Sequence, residues 1–371
     1  MATGDQDRPL SDLPVPEAVP NGAAYQSERE RALAFSARRR ENYERYMASD
    51  RRSAVVDYMP VRLDFENVSR CNFRCTMCQV SDWPKGRRAA DMSFDDFKAI
   101  VDQQYGLVEI KLQGMGEPTI QGDDFFRMIA YARSQAIWVR SVTNASLLHL
   151  KDNYKKLIDS GINELQISVD GADAETFTAI RRGAVFAQVM ANCKLINAYC
   201  RELGIDRTKM WTVVQKANRH QLADLVRLSA ELGFTNMVFS LNLTDWGSEI
   251  WRERNDAVTV ESSFSYAEGL ELIALGEAVG VRVRFWSVTD KYDTDTPAHL
   301  CPWPFERGYV SSDLRAVPCC IIASPEASDL GDARDFNATW FGETWRQFRQ
   351  DHLDGNIPAV CKCCYKATGK P

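Results

Sequence analysis

Between about residues 61 and 285 the chain alternates short apolar runs with amphipathic stretches, and that rhythm restricts its fold more than any other feature. Strand candidates are residues 61–68, 108–112, 137–142, 165–169, 210–214 and 237–241. Helical patterns fall between them, at about 93–104, 123–134, 150–160, 185–203 and 219–232. Ser93, followed by Asp95 and Asp96, has the character of an N-terminal cap with acidic residues in the first turn. Gly161 and Gly233 stand where two helices should end. Repeated β–α alternation implies an α/β protein with parallel strands joined by right-handed crossovers. A helix at about 261–279 and a strand at 281–285 lead out of the repeat, and after Thr289 the rhythm stops. We expect three regions: an N-terminal extension over 1–60, the repeat over 61–285, and a smaller domain over 286–371. In the extension, residues 1 to about 22 hold four prolines and few apolar groups, which implies a disordered or loosely attached stretch. Residues 27–52 form a charge-rich helix, with Leu33, Phe35, Tyr43 and Tyr46 as its main apolar side chains.

The chain carries eleven cysteines, clustered rather than spread. Its N-terminus, Met1 to Pro9, lacks the basic and then apolar layout of a signal peptide, so a cytoplasmic location is expected. In that setting clustered cysteines act as metal ligands rather than disulfides. Cys193 and Cys200, seven residues apart on one helix face, are instead small buried apolar residues. No run of about 18 apolar residues exists to span a membrane. A net charge of −6 argues against a general nucleic-acid binder.

Directly after the first strand comes Cys71-Asn72-Phe73-Arg74-Cys75-Thr76-Met77-Cys78. Three thiolates hold three corners of a cubane iron–sulfur cluster, and a fully closed cluster takes four. One iron is then open to an exogenous ligand, as one position stays open in catalytic zinc sites. In α/β barrels reactive groups collect at the C-terminal ends of strands, and further polar motifs occur there. They are Gln113-Gly114-Met115-Gly116-Glu117-Pro118, Thr143-Asn144-Ala145 and Ser168-Val169-Asp170-Gly171, followed by Ile180-Arg181-Arg182-Gly183.

Together these motifs resemble those of the radical S-adenosylmethionine (SAM) enzymes, over about residues 60 to 371. The resemblance implies a partial (β/α)6 TIM-like barrel. It also implies a [4Fe–4S] cluster on Cys71, Cys75 and Cys78, with SAM chelating the open iron. Gly114, Gly116 and Glu117 correspond to the family's Gly-Gly-Glu-Pro turn, whose backbone binds the SAM amino group. Met115 departs from its commonest form. Thr143, Asn144, Ser168 and Asp170 fall where relatives contact SAM, Met77 lies beside the adenine position, and Arg181 matches the arginine that pairs with the SAM carboxylate. Arg182 is its adjacent rival. Gln215 and Asn218 line the substrate cavity or act as turn residues.

The distal cysteines, Cys301, Cys319, Cys361 and Cys364, resemble the twitch form of the SPASM extension, which would hold a second, auxiliary [4Fe–4S] cluster. A structural zinc site with four thiolates is the competing reading. Residues 309–320 form a hairpin in which Leu314 replaces a customary glycine. Cys319 and Cys320 compete as the ligand. Cys320 and Cys363 are left over, each either filling space or giving a hydrogen atom to a substrate radical.

By that resemblance the enzyme cleaves SAM reductively, with electrons from an external donor such as flavodoxin or ferredoxin. The 5′-deoxyadenosyl radical then abstracts hydrogen from the substrate. The favoured reading is a dehydrogenase or epimerase of a small sugar- or aminocyclitol-like molecule, with the auxiliary cluster accepting an electron in the oxidation. The alternative is a peptide maturase that makes a crosslink or epimerises a residue. A zinc-stabilised binding protein is the third.

Overall fold

The computed structural model describes residues 8–16, 22–84, 90–286 and 292–366. Seven parallel strands follow one another in space as they do in sequence: β1 (Arg62–Phe65), β2 (Glu109–Leu112), β3 (Trp138–Thr143), β4 (Glu164–Ser168), β5 (Thr208–Val213), β6 (Asn236–Ser240) and β7 (Arg282–Trp286). The sheet does not end at β1. A strand from the C-terminal region, β8 (Arg307–Val310), pairs parallel to its outer edge, Arg62 opposite Arg307 and Phe65 opposite Val310. Two antiparallel strands, β9 (Arg315–Val317) and β10 (Gly331–Asp332), extend it further. The region after residue 286 thus shares the barrel's own sheet. The expected α/β partial barrel is the observed fold, with this continuation added.

Strand alternation decides what faces where. Leu63, Phe65, Ile110, Leu112, Val139, Leu165, Ile167, Met210, Met237 and Phe239 belong to the main apolar core. They pack under α3 (Phe94–Gln103), α4 (Asp123–Ser134), α5 (Asn153–Asp159), α6 (Ala174–Ile180), α7 (Phe186–Glu202) and α8 (Leu222–Glu231), whose buried residues lie in the same core. Cys193 and Cys200 are buried there, as their spacing implies. Ser93 caps α3 by accepting from the Asp96 amide, and Gly161 and Gly233 take positive φ after α5 and α8. A shorter helix than expected, Tyr266–Ala278, follows β6, opened by a reciprocal Ser265–Glu268 capping box.

The alternate strand residues face the lumen, and on the first four strands many of them are charged. Across the lumen side run Tyr309, Asp64, Lys111, Arg140 and Glu164, neighbours in register on five strands. Glu109 pairs with Arg140 (2.9 Å) and Arg62 (3.3 Å), and Glu164 pairs with Lys209 (3.0 Å). Burial opposes ionisation of Glu109, but Arg140, Arg62 and Arg307 outweigh it and hold its pKa down at about 2.

The N-terminal region departs from a single amphipathic helix. Ser36 breaks it into α1 (Gly22–Phe35) and α2 (Ala37–Ala48) by turning to extended backbone and capping the second helix through Arg39 N. Its anchors are polar: Arg39 donates to the carbonyls of Ala32, Tyr105 and Gln135, and Asn42 exchanges two hydrogen bonds with Met59. Phe35 is half exposed. Of the stretch expected to be loosely attached, residues 8–16 are docked. Leu13 is buried and Pro14 O accepts from Phe285 N on β7. Residues 1–7 and 17–21 lie outside the described residues. Among the described residues no helix is long and apolar enough to cross a membrane.

Candidate radical cofactor site

The C-terminal ends of β1 to β4 carry the motif residues to one side of the sheet. Beyond β1, the cysteine loop is fixed at its middle. Arg74–Cys75 pairs antiparallel with Arg181–Arg182, and Thr76 N donates to Ile180 O. The pairing places Arg181 beside the loop, with Nη1 3.9 Å from Cys75 Sγ, while Arg182 is exposed. Arg181 Nε makes a 2.7 Å ion pair with buried Asp170. Asp170 also accepts from Val213 N.

Glu117 organises the next wall. Its Oε1 accepts from the Thr119 hydroxyl (2.6 Å) and the Thr143 hydroxyl (2.6 Å), and its Oε2 from Asn144 N (2.7 Å). Asn144 Nδ2 in turn donates to Asn72 Oδ1 (2.9 Å) and lies 3.9 Å from Cys71 Sγ. Three residues expected to meet SAM separately are therefore one hydrogen-bonded unit ending on a cysteine. Ser168 is buried at the end of β4, and Met77 is partly buried against the main core.

The glycines are required by close packing within the chain itself. A Cβ on Gly114 would stand 2.1 Å from Glu66 Cγ, and one on Gly116 would stand 2.4 Å from Arg70 O and 2.5 Å from Val68 O. Their bareness lets the turn close on β1 and the segment feeding Cys71. Asn218 is a turn residue, holding Asp170 O and Val213 O, whereas the Gln215 side chain is buried with an unpartnered Nε2.

Sequence reasoning missed Glu66. Fully buried at the end of β1, it accepts from Met115 N on Oε1 (2.9 Å) and from Ser312 N on Oε2 (3.0 Å). It therefore joins the glycine turn to the C-terminal hairpin. A glutamate closing an apolar strand was its only signal in the sequence. The hairpin forms without the customary glycine: Leu314 adopts φ +63° and is buried. A left-handed non-glycine residue costs about 1–2 kcal/mol, offset here by packing into the main core.

The two cysteine groups meet around one small apolar cluster of Val80, Met115, Tyr309, Val317, Ile322 and Ala323, against which Cys71, Cys78, Cys319, Cys320 and Cys361 pack. Burial pushes the Cys71 and Cys78 thiols up to about 12 and raises Cys75 despite Arg181. Burial also raises Cys319 and Cys361 and carries Cys301 up to about 12. Each of the last three interacts electrostatically with at least one of the others. Cys320 does not face that group alone; its charged neighbours are Asp64, Lys111, Arg307 and Arg140, on the lumen side. Cys364 lies 3.7 Å from Cys363, sulfur to sulfur, and Cys363 is beside Asp245. Among the described residues no three His, Cys, Asp or Glu side chains close to metal-bonding distance.

Residues 68–229 match the model of the Radical SAM superfamily. This stretch is a radical SAM domain. The mycofactocin maturase MftC of Mycolicibacterium smegmatis is 31% identical over 197 residues, 52% of this chain and 47% of that protein. The PqqA peptide cyclase of Bradyrhizobium diazoefficiens is 21% identical over 323 residues, 86% of this chain and 82% of its own length. Among solved structures, Streptococcus suis SuiB bound to its precursor peptide SuiA superposes with a TM-score of 0.61 at 14% identity, over 83% of this chain and 70% of that one. The chain spans about half the length of the mycofactocin maturase it matches. Radical SAM domains use a [4Fe–4S] cluster and SAM, and Streptococcus suis SuiB has also been solved bound to S-adenosylmethionine. The donor chemistry here fits such groups, with soft thiols gathered in two sets and amide and guanidinium N–H groups turned toward Cys71 and Cys75.

Proposed function

We propose that this protein is a radical SAM enzyme that modifies a peptide. In this reading Cys71, Cys75 and Cys78 hold the SAM-binding [4Fe–4S] cluster, and Cys301, Cys319, Cys361 and Cys364 hold an auxiliary one. When bound, the first cluster and SAM supply a 5′-deoxyadenosyl radical. The chain's own residues shape the place where it forms. Gly114 to Glu117 form the turn against the cysteine loop, with Glu117 fixing Thr143 and Asn144. Ser168 and Asp170 form the adjoining wall, and Arg181 carries a positive charge held in place by Asp170. Met77 packs on the apolar side. An external one-electron donor such as flavodoxin or ferredoxin completes the reaction.

The observation that carries the radical reading is the convergence of Cys71, Asn144, Glu117, Asp170 and Arg181 on one end of the sheet through direct contacts. The choice of a peptide over the sugar-like substrate favoured from sequence is supported by the maturase and peptide cyclase that the chain resembles, one of them across most of its length. The polar lumen, with Asp64 and Lys111 facing it, keeps a small hydroxylated substrate as the second reading. Reconstituted enzyme with SAM and dithionite should form 5′-deoxyadenosine, and replacing Cys71, Cys75 and Cys78 by alanine should abolish it. Persisting SAM cleavage in that variant would refute the site.

A further inference from the structure

We propose that Tyr292 sets the reduction potential of the auxiliary cluster by donating its hydroxyl hydrogen to the Cys301 sulfur, an inference that rests on the auxiliary-cluster part of the reading above.

The cysteine tail is fastened to the segment that leads into Cys301. Tyr292 N donates to Cys364 O (2.9 Å), and Lys366 N donates to Tyr292 O (2.8 Å). Asp293 closes the same seam, accepting from Lys366 Nζ (2.8 Å) and lying 3.0 Å from His299 Nδ1. This parallel bridge sets Tyr292 and Tyr365 side by side, with ring centres 5.7 Å apart. The buried His352 ring backs Tyr365 at 5.8 Å.

Both tyrosines reach Cys301, and they hold different parts of it. The Tyr365 hydroxyl accepts from Cys301 N (3.0 Å) and so fixes the backbone. The Tyr292 hydroxyl instead hydrogen-bonds the Cys301 side chain, where the sulfur is the acceptor, and it lies within electrostatic reach of Cys364. Packing against Tyr365 would be served as well by phenylalanine. The hydroxyl of Tyr292 is the part that packing does not call for.

Its effect follows from charge. Burial disfavours negative charge on the Cys301 sulfur, and a phenol O–H there counts for more than it would in water. One-electron reduction adds negative charge to a cluster and to the sulfurs that hold it. A hydrogen bond to such a sulfur strengthens on reduction and raises the potential. Arg307, which also acts on Cys301, works in the same sense. No proton moves, since the hydroxyl keeps its hydrogen in both states. Tyr292 therefore acts on the cluster only through Cys301, and it governs how readily the auxiliary site accepts an electron.

The full chain with Cys71, Cys75 and Cys78 replaced by alanine holds the auxiliary site alone. An EPR-monitored redox titration of that reconstituted protein gives its midpoint without SAM or substrate. Adding Tyr292→Phe should keep about four irons per chain and make reduction about tenfold less favourable, a midpoint about 59 mV more negative for one electron. Tyr365→Phe, which loses a hydroxyl from the same pair but no bond to sulfur, should leave the midpoint in place. Site-specific 3-fluorotyrosine in place of Tyr292, a more acidic phenol of nearly the same size, should move it the opposite way. If Tyr292→Phe loses its iron, the sign of the fluorotyrosine shift decides. An unmoved midpoint in Tyr292→Phe, equal shifts in the two phenylalanine variants, or no upward shift with fluorotyrosine would each overturn the role of Tyr292. Zinc in the site, or no redox transition at all, would instead overturn the auxiliary cluster and the role of Tyr292 with it.

Discussion

Glu66→Gln tests whether one carboxylate couples the glycine turn to the C-terminal hairpin. The side chain keeps its size, but only one of its two terminal atoms still accepts a hydrogen bond. Glu66 Oε1 and Oε2 each receive one buried backbone N–H, from Met115 and Ser312. A glutamine can satisfy one of these and must turn its own NH2 toward the other. Losing a hydrogen bond to a charged acceptor removes about 1.5–3 kcal/mol, and a stranded buried donor costs about 1–3 kcal/mol. Relief from desolvating the charge offsets part of this, leaving about 2 kcal/mol of lost local stability. At about 1.4 kcal/mol per decade, that is roughly a 30-fold faster amide exchange. Hydrogen exchange read by mass spectrometry on peptides covering residues 113–117 and 311–314 resolves it. One of the two segments should speed up, with strands β4 and β5 unaffected. Unchanged exchange in both segments would refute the coupling.

Acid should act on the lumen floor through Glu109. Its folded pKa, about 2, lies below the ordinary 4.5, so its contribution is present above 4.5 and disappears as pH falls toward 2. The shift corresponds to about 3 kcal/mol, so Glu109→Gln should be less stable than the unaltered protein by that order at pH 7. The difference should close in urea titrations as pH drops through this window, and a gap that stays constant counts against the assignment. Reconstituted protein should hold about eight irons per chain, and Cys301→Ala about four; zinc in place of the lost iron would replace the auxiliary cluster with a structural zinc site.

What the sequence could announce was local. Ser93 and its two aspartates, Gly161 and Gly233 mark helix ends through chemistry contained within a few residues, and the structure uses each of them so. The strands were legible because one face of each is apolar. The pairing of β8 with β1 was not, since Arg62 and Arg307 meet only through tertiary structure and neither strand carries a partner-specific pattern. The cysteines could be grouped by spacing, yet the distinct neighbourhoods of Cys319 and Cys320 follow from which way each points out of a hairpin. Glu117 was visible within its motif, but not as an acceptor holding Thr143 and Asn144. Gly114 and Gly116 were legible as required glycines, but not their closeness to Glu66, Val68 and Arg70.

The position of β8 has a consequence for how the protein is made. A ribosome releases β1 and the cysteine loop long before Arg307–Val310, so for most of synthesis β1 presents an uncovered strand edge, a template for wrong pairing. Over the same interval Cys71 and Cys78 lack the wall that Tyr309, Val317 and Ile322 later provide. Iron delivered early would meet an unfinished chamber. In the proposed reading, loading of the first cysteine site would therefore follow the closing of the sheet by Arg307–Val310.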